Sequence, residues 1–342
     1  MIQFQNVSFR YASNGDKYSV KDLDLEIAEG EVVVLCGLSG CGKTTVTRLI
    51  NGLAPHFYEG GIKGNVIVDG KNTKEIELSE FADTCGSVFQ NPKSQFFNTD
   101  TTGELAFGCE NLSFPKEKTA ERLRKTIEEF SLEMLMDRDI FKLSGGEKQQ
   151  IACGSIYAAE PKIYVLDEPS SNMDAEAIER LKAMIQKLKE EGNTIIIAEH
   201  RLYFLLDVAD RFIYFADGEL RECFTPEELK NKTDSELKEY GLRVTRLEDV
   251  KQRQDMAVSE DVITVSGVLC TRGKKTVLEI EELTIPKQSV VAIIGENGAG
   301  KSTFAEIFSG RLKAKCEIVS REDKLKSKER TKKSYMMSLQ VA

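Results

Sequence analysis

The sequence predicts an α/β fold: a mostly parallel sheet covered by helices, with an antiparallel β edge and a helical subdomain. Three observations carry this expectation. Apolar runs of strand length recur at 32–35, 163–166, 194–198 and 212–215, helical patterns such as 175–191 separate several of them, and residues 2–11 and 23–27 alternate apolar with polar. Short apolar runs between amphipathic helices fit strands buried on both faces, whereas strict alternation fits a strand with one wet face. Residues 91–160 contain more helix than strand and read as a separate helical lobe.

At 342 residues the chain has room for roughly two domains of about 150 residues, each able to bury a core without disulfide staples. Charged residues at 30%, hydrophobic residues at 41% and only 7 Pro exclude disordered, collagen-like and low-complexity classes. A net charge of −9 gives no global attraction to phosphate backbones or anionic lipid, so no nucleic-acid partner is expected. The eight cysteines stand at 36, 41, 85, 109, 153, 223, 270 and 316, with no C-x-x-C pair and no zinc-ligand spacing, which reads as reduced thiols in the cytosol. No run of about 18 apolar residues occurs, and the N-terminus alternates like a strand instead of showing an export signal; the expectation is a chain that neither spans a membrane nor leaves the cell.

An internal repeat organises the rest. Residues 27–52 (IAEGEVVVLCGLSGCGKTTVTRLING) and 285–310 (IPKQSVVAIIGENGAGKSTFAEIFSG) open the same domain twice. The first copy is expected to occupy 1–225, a charged, helix-prone, solvated connector 226–260, and the start of a second copy 261–342. The second copy has about 80 residues, too few for the complete domain, and is read as truncated. The stretch 313–333 holds nine Lys/Arg against four Asp/Glu and is assigned no function, because such runs are usually solvated surface.

Gly37 to Thr44 (GLSGCGKT) fits G-x-x-x-x-G-K-[ST] between a predicted strand and a predicted helix, the context that makes the motif a P-loop. Gly37, Gly40 and Gly42 let backbone amides close on an anion, the following helix points its positive end at it, and Lys43 adds a point charge. Thr44 offers a hydroxyl for Mg²⁺, and Ser39 and Thr45 complete the nucleotide-binding set. Gly295, Gly300, Lys301, Ser302 and Thr303 repeat the pattern in the second copy. Hydrolysis also requires a metal carboxylate and a group that deprotonates water. The apolar run 163–166 ends in Asp167 and Glu168, assigned as metal ligand and general base because buried adjacent acids need a cation or a proton.

About twenty residues earlier stands Leu143-Ser144-Gly145-Gly146-Glu147, and with it the sequence resembles the ATP-binding cassette family. The resemblance covers about 200 residues and implies the P-loop NTPase fold of these ATPases, with ATP and Mg²⁺ as cofactors. It implies that Tyr11 stacks on adenine, that Gln90 in VFQNP is the Q-loop glutamine and reaches Mg²⁺ or water, and that 170–174 (SSNMD) form the D-loop with Asp174. It further implies that His200 in IIIAEHR senses the γ-phosphate. Ser144, Gly145 and Gly146 would contact the γ-phosphate of an opposite domain, so a second ABC ATPase domain, in a homo- or heterodimer, becomes a partner. By local pattern alone Ser144 reads equally well as a helix N-cap, His200 as a strand cap and Tyr11 as an edge-strand aromatic. His56 has no identifiable partner in the sequence.

The stretch 87–111 (SVFQNPKSQFFNTDTTGELAFGCEN) is similar to the energy-coupling-factor importers of vitamins and metal ions. This implies integral membrane transporter subunits as partners and a peripheral position on the cytoplasmic face of the membrane. Phe96, Phe97 and Phe107 are either core or a groove for a membrane partner's helix. The alternatives are a soluble ABC ATPase acting on ribosome or nucleic acid, whose usual coiled-coil insertion or basic linker is not seen here, and a truncated nucleotide-binding remnant. The second copy lacks LSGG, a strand ending in DE and a switch histidine; 335–340 (YMMSLQ) reads as the approach to its Q-loop, with Gln340 in the glutamine's place.

Overall fold

The computed structural model describes residues 1–171, 173–246, 261–272, 275–295, 299–313, 315–320 and 323–324. The chain divides into two compact units, residues 1–250 and 251–342.

The first unit opens with β1 (Ile2–Tyr11) and β2 (Val20–Ile27), which pair antiparallel, followed by β3 (Val32–Cys36), α1 (Lys43–Ile50) and the short α2 (Leu53–His56). Next come β4 (Gly60–Val68), β5 (Lys71–Asn72) and β6 (Cys85–Val88). The predicted antiparallel edge is a sheet of its own, with strand order β2-β1-β4-β5. No strand longer than an isolated bridge interrupts the described residues between Val88 and Ile163. They hold α3 (Thr101–Asn111), α4 (Lys116–Glu129) and α5 (Gly145–Ala158), which pack around Leu105, Leu132, Leu135, Leu143 and Ile151 as the helical lobe.

The remaining elements are β7 (Ile163–Asp167), α6 (Ala175–Glu190), β8 (Thr194–Ala198), β9 (Arg211–Ala216), β10 (Glu219–Phe224), α7 (Pro226–Asn231) and α8 (Asp234–Glu239). A second sheet runs β10-β9-β3-β8-β7-β6, parallel except for β10. Every residue of β3 is buried: Val32, Val34 and Cys36 join the core on one face, Val33 and Leu35 the core on the other. A strand with two dry faces has no polar position, which is why its sequence is a continuous apolar run.

The expected solvated connector begins differently. α7 and α8 each start with a threonine capping box, and Leu229 and Leu237 are buried in the first unit's core. One leucine per short helix is enough to anchor it, and the surrounding charges conceal that pattern in the sequence. Residues 247–260 lie outside the described residues.

In the second unit β11 (Val262–Arg272) pairs antiparallel with β12 (Lys275–Pro286) and, beyond α9 (Lys301–Phe308), with β13 (Lys315–Ser320); β13 in turn pairs with β14 (Asp323–Lys324). Ile263, Val265, Val268, Phe304, Ile307 and Phe308 form its core. The proposed Q-loop approach at 335–340 lies outside the described residues.

Candidate functional site

The strand order places the chemistry. β6, β7, β8 and β3 are parallel neighbours, so the loops leaving their C-terminal ends meet at one edge of the sheet. Those loops carry Gln90 after β6, Asp167 and Glu168 at β7, His200 after β8 and the glycine loop after β3.

The glycine loop is built of backbone. A Cβ at Gly37 (φ 139°) would lie 2.3 Å from the carbonyl oxygen of Phe215, and one at Gly42 (φ 114°) 2.6 Å from that of Ser19, so neither position accepts a side chain. Gly42 caps α1, whose first-turn amides face the loop. Lys43 is only 4% exposed, and its Nζ donates to the carbonyls of Gly37 (2.9 Å) and Leu38 (3.0 Å). Its ammonium thus curls over the loop where an anion would sit. Thr44 Oγ1 donates to Asp167 Oδ1 at 3.1 Å.

Glu168 is held from two sides. Gln90 Nε2 donates to its Oε2 at 2.8 Å, and His200 Nε2 lies 3.2 Å from its Oε1 and 3.5 Å from Ser39 Oγ. The structure therefore brings together six of the predicted residues from four places in the sequence: Ser39 and Thr44, Gln90, Asp167 and Glu168, and His200. The two adjacent acids diverge: burial pushes Asp167 up to about 6, opposed by the Thr44 hydrogen bond and reinforced by the neighbouring Glu168. The hydrogen bond to His200 holds Glu168 below the usual carboxylate range despite its partial burial. Environments that separate two carboxylates in this way give them different roles.

A nucleoside triphosphate with Mg²⁺ fits this donor set. Backbone amides and an ammonium suit phosphate, and the Thr44 hydroxyl, Asp167 carboxylate and Gln90 amide are the hard oxygen donors Mg²⁺ prefers. Among the described residues there is no cluster of three or more His, Cys, Asp or Glu for a metal. Mg²⁺ needs none, since one or two carboxylates and the substrate's phosphates usually hold it.

Other predicted residues occupy local roles. Ser144 is the N-cap of α5 in a capping box with Glu147, and Gly145 and Gly146 form the helix's first turn. Asp174 is the N-cap of α6, accepting from the Ala177 amide at 3.0 Å; its neighbour Asn172 lies outside the described residues. The Tyr11 hydroxyl meets Thr45 Oγ1 at 3.2 Å and accepts from Arg48 Nη1 at 3.1 Å. His56 finds a partner in the Thr73 carbonyl at 2.8 Å. In the second unit Gly300 (φ 91°) caps α9, and Lys301 Nζ donates to the Gly295 carbonyl, the same clasp that Lys43 makes on Gly37. Ser302 and Thr303 follow in the first turn of α9. Phe96 is partly buried, whereas Phe97 is 75% exposed and stacks on Phe107 with centroids 4.7 Å apart.

Two site residues escaped sequence reasoning. Glu199 is 2% exposed and its carboxylate accepts from the amides of Ser170 (3.2 Å), His200 (2.7 Å) and Arg201 (3.1 Å), tying the loops after β7 and β8 together. An acid closing the apolar run of β8 was its signal. Arg48 spans the Tyr11 hydroxyl and the Tyr58 ring, with its guanidinium carbon 3.7 Å from the ring centroid; helix position alone made it ordinary.

A profile described as ABC transporter matches residues 20–171 and 278–341. A putative ABC transporter ATP-binding protein of Treponema denticola is 43% identical over 351 aligned residues, covering 100% of this chain and 71% of that protein. Another from the same organism is 36% identical over 321 residues, covering 92% and 65%. Among solved structures, the dimeric ATP-binding cassette MJ0796 in a post-hydrolysis state bound to ADP and Pi superposes with a TM-score of 0.58 at 25% identity, over 66% of this chain and 99% of that one. The chain thus spans 65–71% of the length of these two curated relatives.

Proposed function

Because the chain belongs to the ABC transporter family, we propose that its first unit binds ATP with Mg²⁺ and hydrolyses it to power solute uptake through integral membrane partner subunits, as in energy-coupling-factor importers of vitamins or metal ions. The chain has the architecture of an ATP-binding cassette ATPase. The observation that supports turnover is Glu168, ionised and held between Gln90 and His200 beside the Thr44–Asp167 pair.

In this reading the amides of the glycine loop and α1 receive the phosphates, and Lys43 turns from the Gly37 and Leu38 carbonyls to them. Bound Mg²⁺, held through Thr44, Asp167 and Gln90, would neutralise phosphate charge. Glu168 accepts the proton of the attacking water, with Gln90 and His200 fixing its orientation. His200, also near Ser39 of the glycine loop, is positioned to register loss of the terminal phosphate. Ser144, Gly145 and Gly146 face the γ-phosphate of a second cassette, Tyr11 stacks on adenine, and Lys301 with Ser302 offers a second phosphate site.

The importer assignment rests on the 87–111 resemblance. Exposed Phe97, stacked on the half-buried Phe107, with Met134 at 86% and Phe141 at 76% exposure, gives the helical lobe apolar side chains for a membrane partner's helix on the cytoplasmic face. The test is retention and hydrolysis of radiolabelled ATP with Mg²⁺ by wild type and Glu168→Gln. The variant should retain ATP while turnover falls about 10²–10⁴-fold. Equal turnover would remove Glu168 from the chemistry, and no retention by wild type would sink the reading. Co-purification with an integral membrane protein supports transport, and co-sedimentation with ribosomes or DNA supports the soluble alternative.

A further inference from the structure

We propose that the C-terminal end of α8, Tyr240 and Gly241, is a brace that positions the P-loop, so that nucleotide binding and this helix end are coupled. The proposal rests on the ATP-binding reading and extends it to residues outside every motif identified above.

Gly241 ends α8 in the left-handed region (φ 66°), its amide donating to the Lys238 carbonyl at 3.0 Å, while the Leu242 amide donates to Leu237 at 2.8 Å. A Cβ on Gly241 would stand 2.6 Å from Cδ2 and 2.8 Å from Cγ of Leu38. The side chain of a P-loop residue therefore lies directly against the bare Cα of Gly241. Leu38 is otherwise 59% exposed, and its carbonyl is one of the two that hold Lys43.

The brace is anchored at its other end. Tyr240 meets Tyr214 edge-on at 5.0 Å and Phe224 at 5.4 Å, and its hydroxyl donates to Glu222 at 2.7 Å. The Lys232 ammonium lies over both the Phe224 and Tyr240 rings, at 4.5 and 4.7 Å. Tyr214 is the register partner of Cys36, the last residue before the loop, and the Phe215 carbonyl is the atom that forbids a side chain at Gly37. One end of α8 thus touches the P-loop at its crest, through Leu38, and reaches its root through β9.

Lys43 leaves the Leu38 carbonyl by turning its own side chain, so the coupling runs through the Leu38 side chain that rests against Gly241. Any shift that nucleotide imposes on Leu38 is passed to α8, and by linkage any constraint on α8 changes nucleotide affinity by the same factor. Gly241 acts through Leu38 and is a positioning residue.

The test compares Gly241→Ala with Gly192→Ala. Gly192 is also left-handed (φ 81°) but has nothing within 4 Å of a built Cβ, so it carries the backbone strain without the contact. Gly241→Ala should raise the ATP–Mg²⁺ Kd and KM about five-fold or more with kcat little changed, Gly192→Ala should leave both unchanged, and the effects of Gly241→Ala and Leu38→Ala, which act on one contact, should combine less than additively. A Gly241→Ala variant that behaves like Gly192→Ala, or whose effect adds in full to that of Leu38→Ala, overturns the brace. Should Gly241→Ala fail to fold, wild type decides: saturating ATP should change hydrogen exchange at the Gly241 and Leu242 amides, and unchanged exchange overturns the proposal. Wild type that binds ATP without that response refutes the brace alone; wild type that fails to bind ATP refutes the functional reading as well.

Discussion

Lys43→Met removes the ammonium and keeps an apolar stem of similar reach. Lys43 Nζ has partners within the protein: it donates to the carbonyls of Gly37 and Leu38 and lies 3.7 Å from Cys41 Sγ. Binding triphosphate therefore exchanges neutral acceptors for anionic ones, and the affinity at stake is the difference, comparable to one charge-assisted hydrogen bond of about 1.5–3 kcal/mol. That corresponds to a loss of about 10- to 150-fold in ATP affinity. Stability without nucleotide should move little, because two carbonyls lose their donor while the burial of an ammonium, itself worth several kcal/mol, is relieved. Equilibrium binding at fixed ionic strength, with thermal unfolding as the control, measures both. An affinity within about two-fold of wild type, in a variant that unfolds at the wild-type temperature, would refute the exchange, because only a lysine that never leaves its carbonyls predicts that result.

Tyr11→Phe keeps the ring and deletes the hydroxyl shared by Thr45 and Arg48, so stability should fall by about 0.5–1.5 kcal/mol in urea unfolding. Leu229→Ala should cost about 2–5 kcal/mol if α7 belongs to the first unit's core, whereas a solvated connector would show almost none in the same unfolding measurement. Burial pushes Glu129 up, but hydrogen bonds from Lys187 and Tyr157 outweigh it and hold the carboxyl below the usual range. A depressed folded-state value gives stability that is present above the unfolded value of about 4.3 and lost as pH falls through the folded one. Glu129→Gln should therefore unfold at lower temperature than wild type at neutral pH, with the two melting temperatures converging in acid; a constant gap would show that the ion pair contributes nothing.

The glycine loop, Gln90, Asp167, Glu168 and His200 were visible in the sequence, but their mutual contacts were not, nor were Glu199 and Arg48. Gln90, Glu168 and His200 were picked singly from motifs, and only the order β6-β7-β8 puts Gln90 and His200 on opposite oxygens of one carboxylate. Ser144 illustrates the reverse: local pattern predicted an N-cap and the structure builds it. Apolar runs located four of the five parallel strands, β3, β7, β8 and β9, because a buried strand leaves no polar position, and missed β6, whose sequence CGSV is no apolar run. Hydrophobic periodicity failed at α7 and α8, where the fold uses one leucine per short helix, a signal too sparse to separate from a charged surface segment.

The repeat shows how far a strand depends on its neighbours. Val32-Val33-Val34-Leu35-Cys36 and Val290-Val291-Ala292-Ile293-Ile294 occupy the same place before the two glycine loops. The first is β3, fully buried, with β8 and β9 hydrogen-bonded on either side. The second is not assigned to a strand, and Val290 and Ile294 are 102% and 90% exposed. Among the described residues of the second unit no parallel strand flanks it, so its amides have no ladder and its side chains no opposing sheet face. β-propensity is largely the fit of a side chain to a half-buried, paired surface, and without that surface residues 290–294 form no strand and stay exposed. The clasp of Lys301 on Gly295 and the capped helix α9 nevertheless form as they do in the first unit. The glycine-loop-to-helix turn is thus fixed by local geometry, while the strand that leads into it is fixed by its partners.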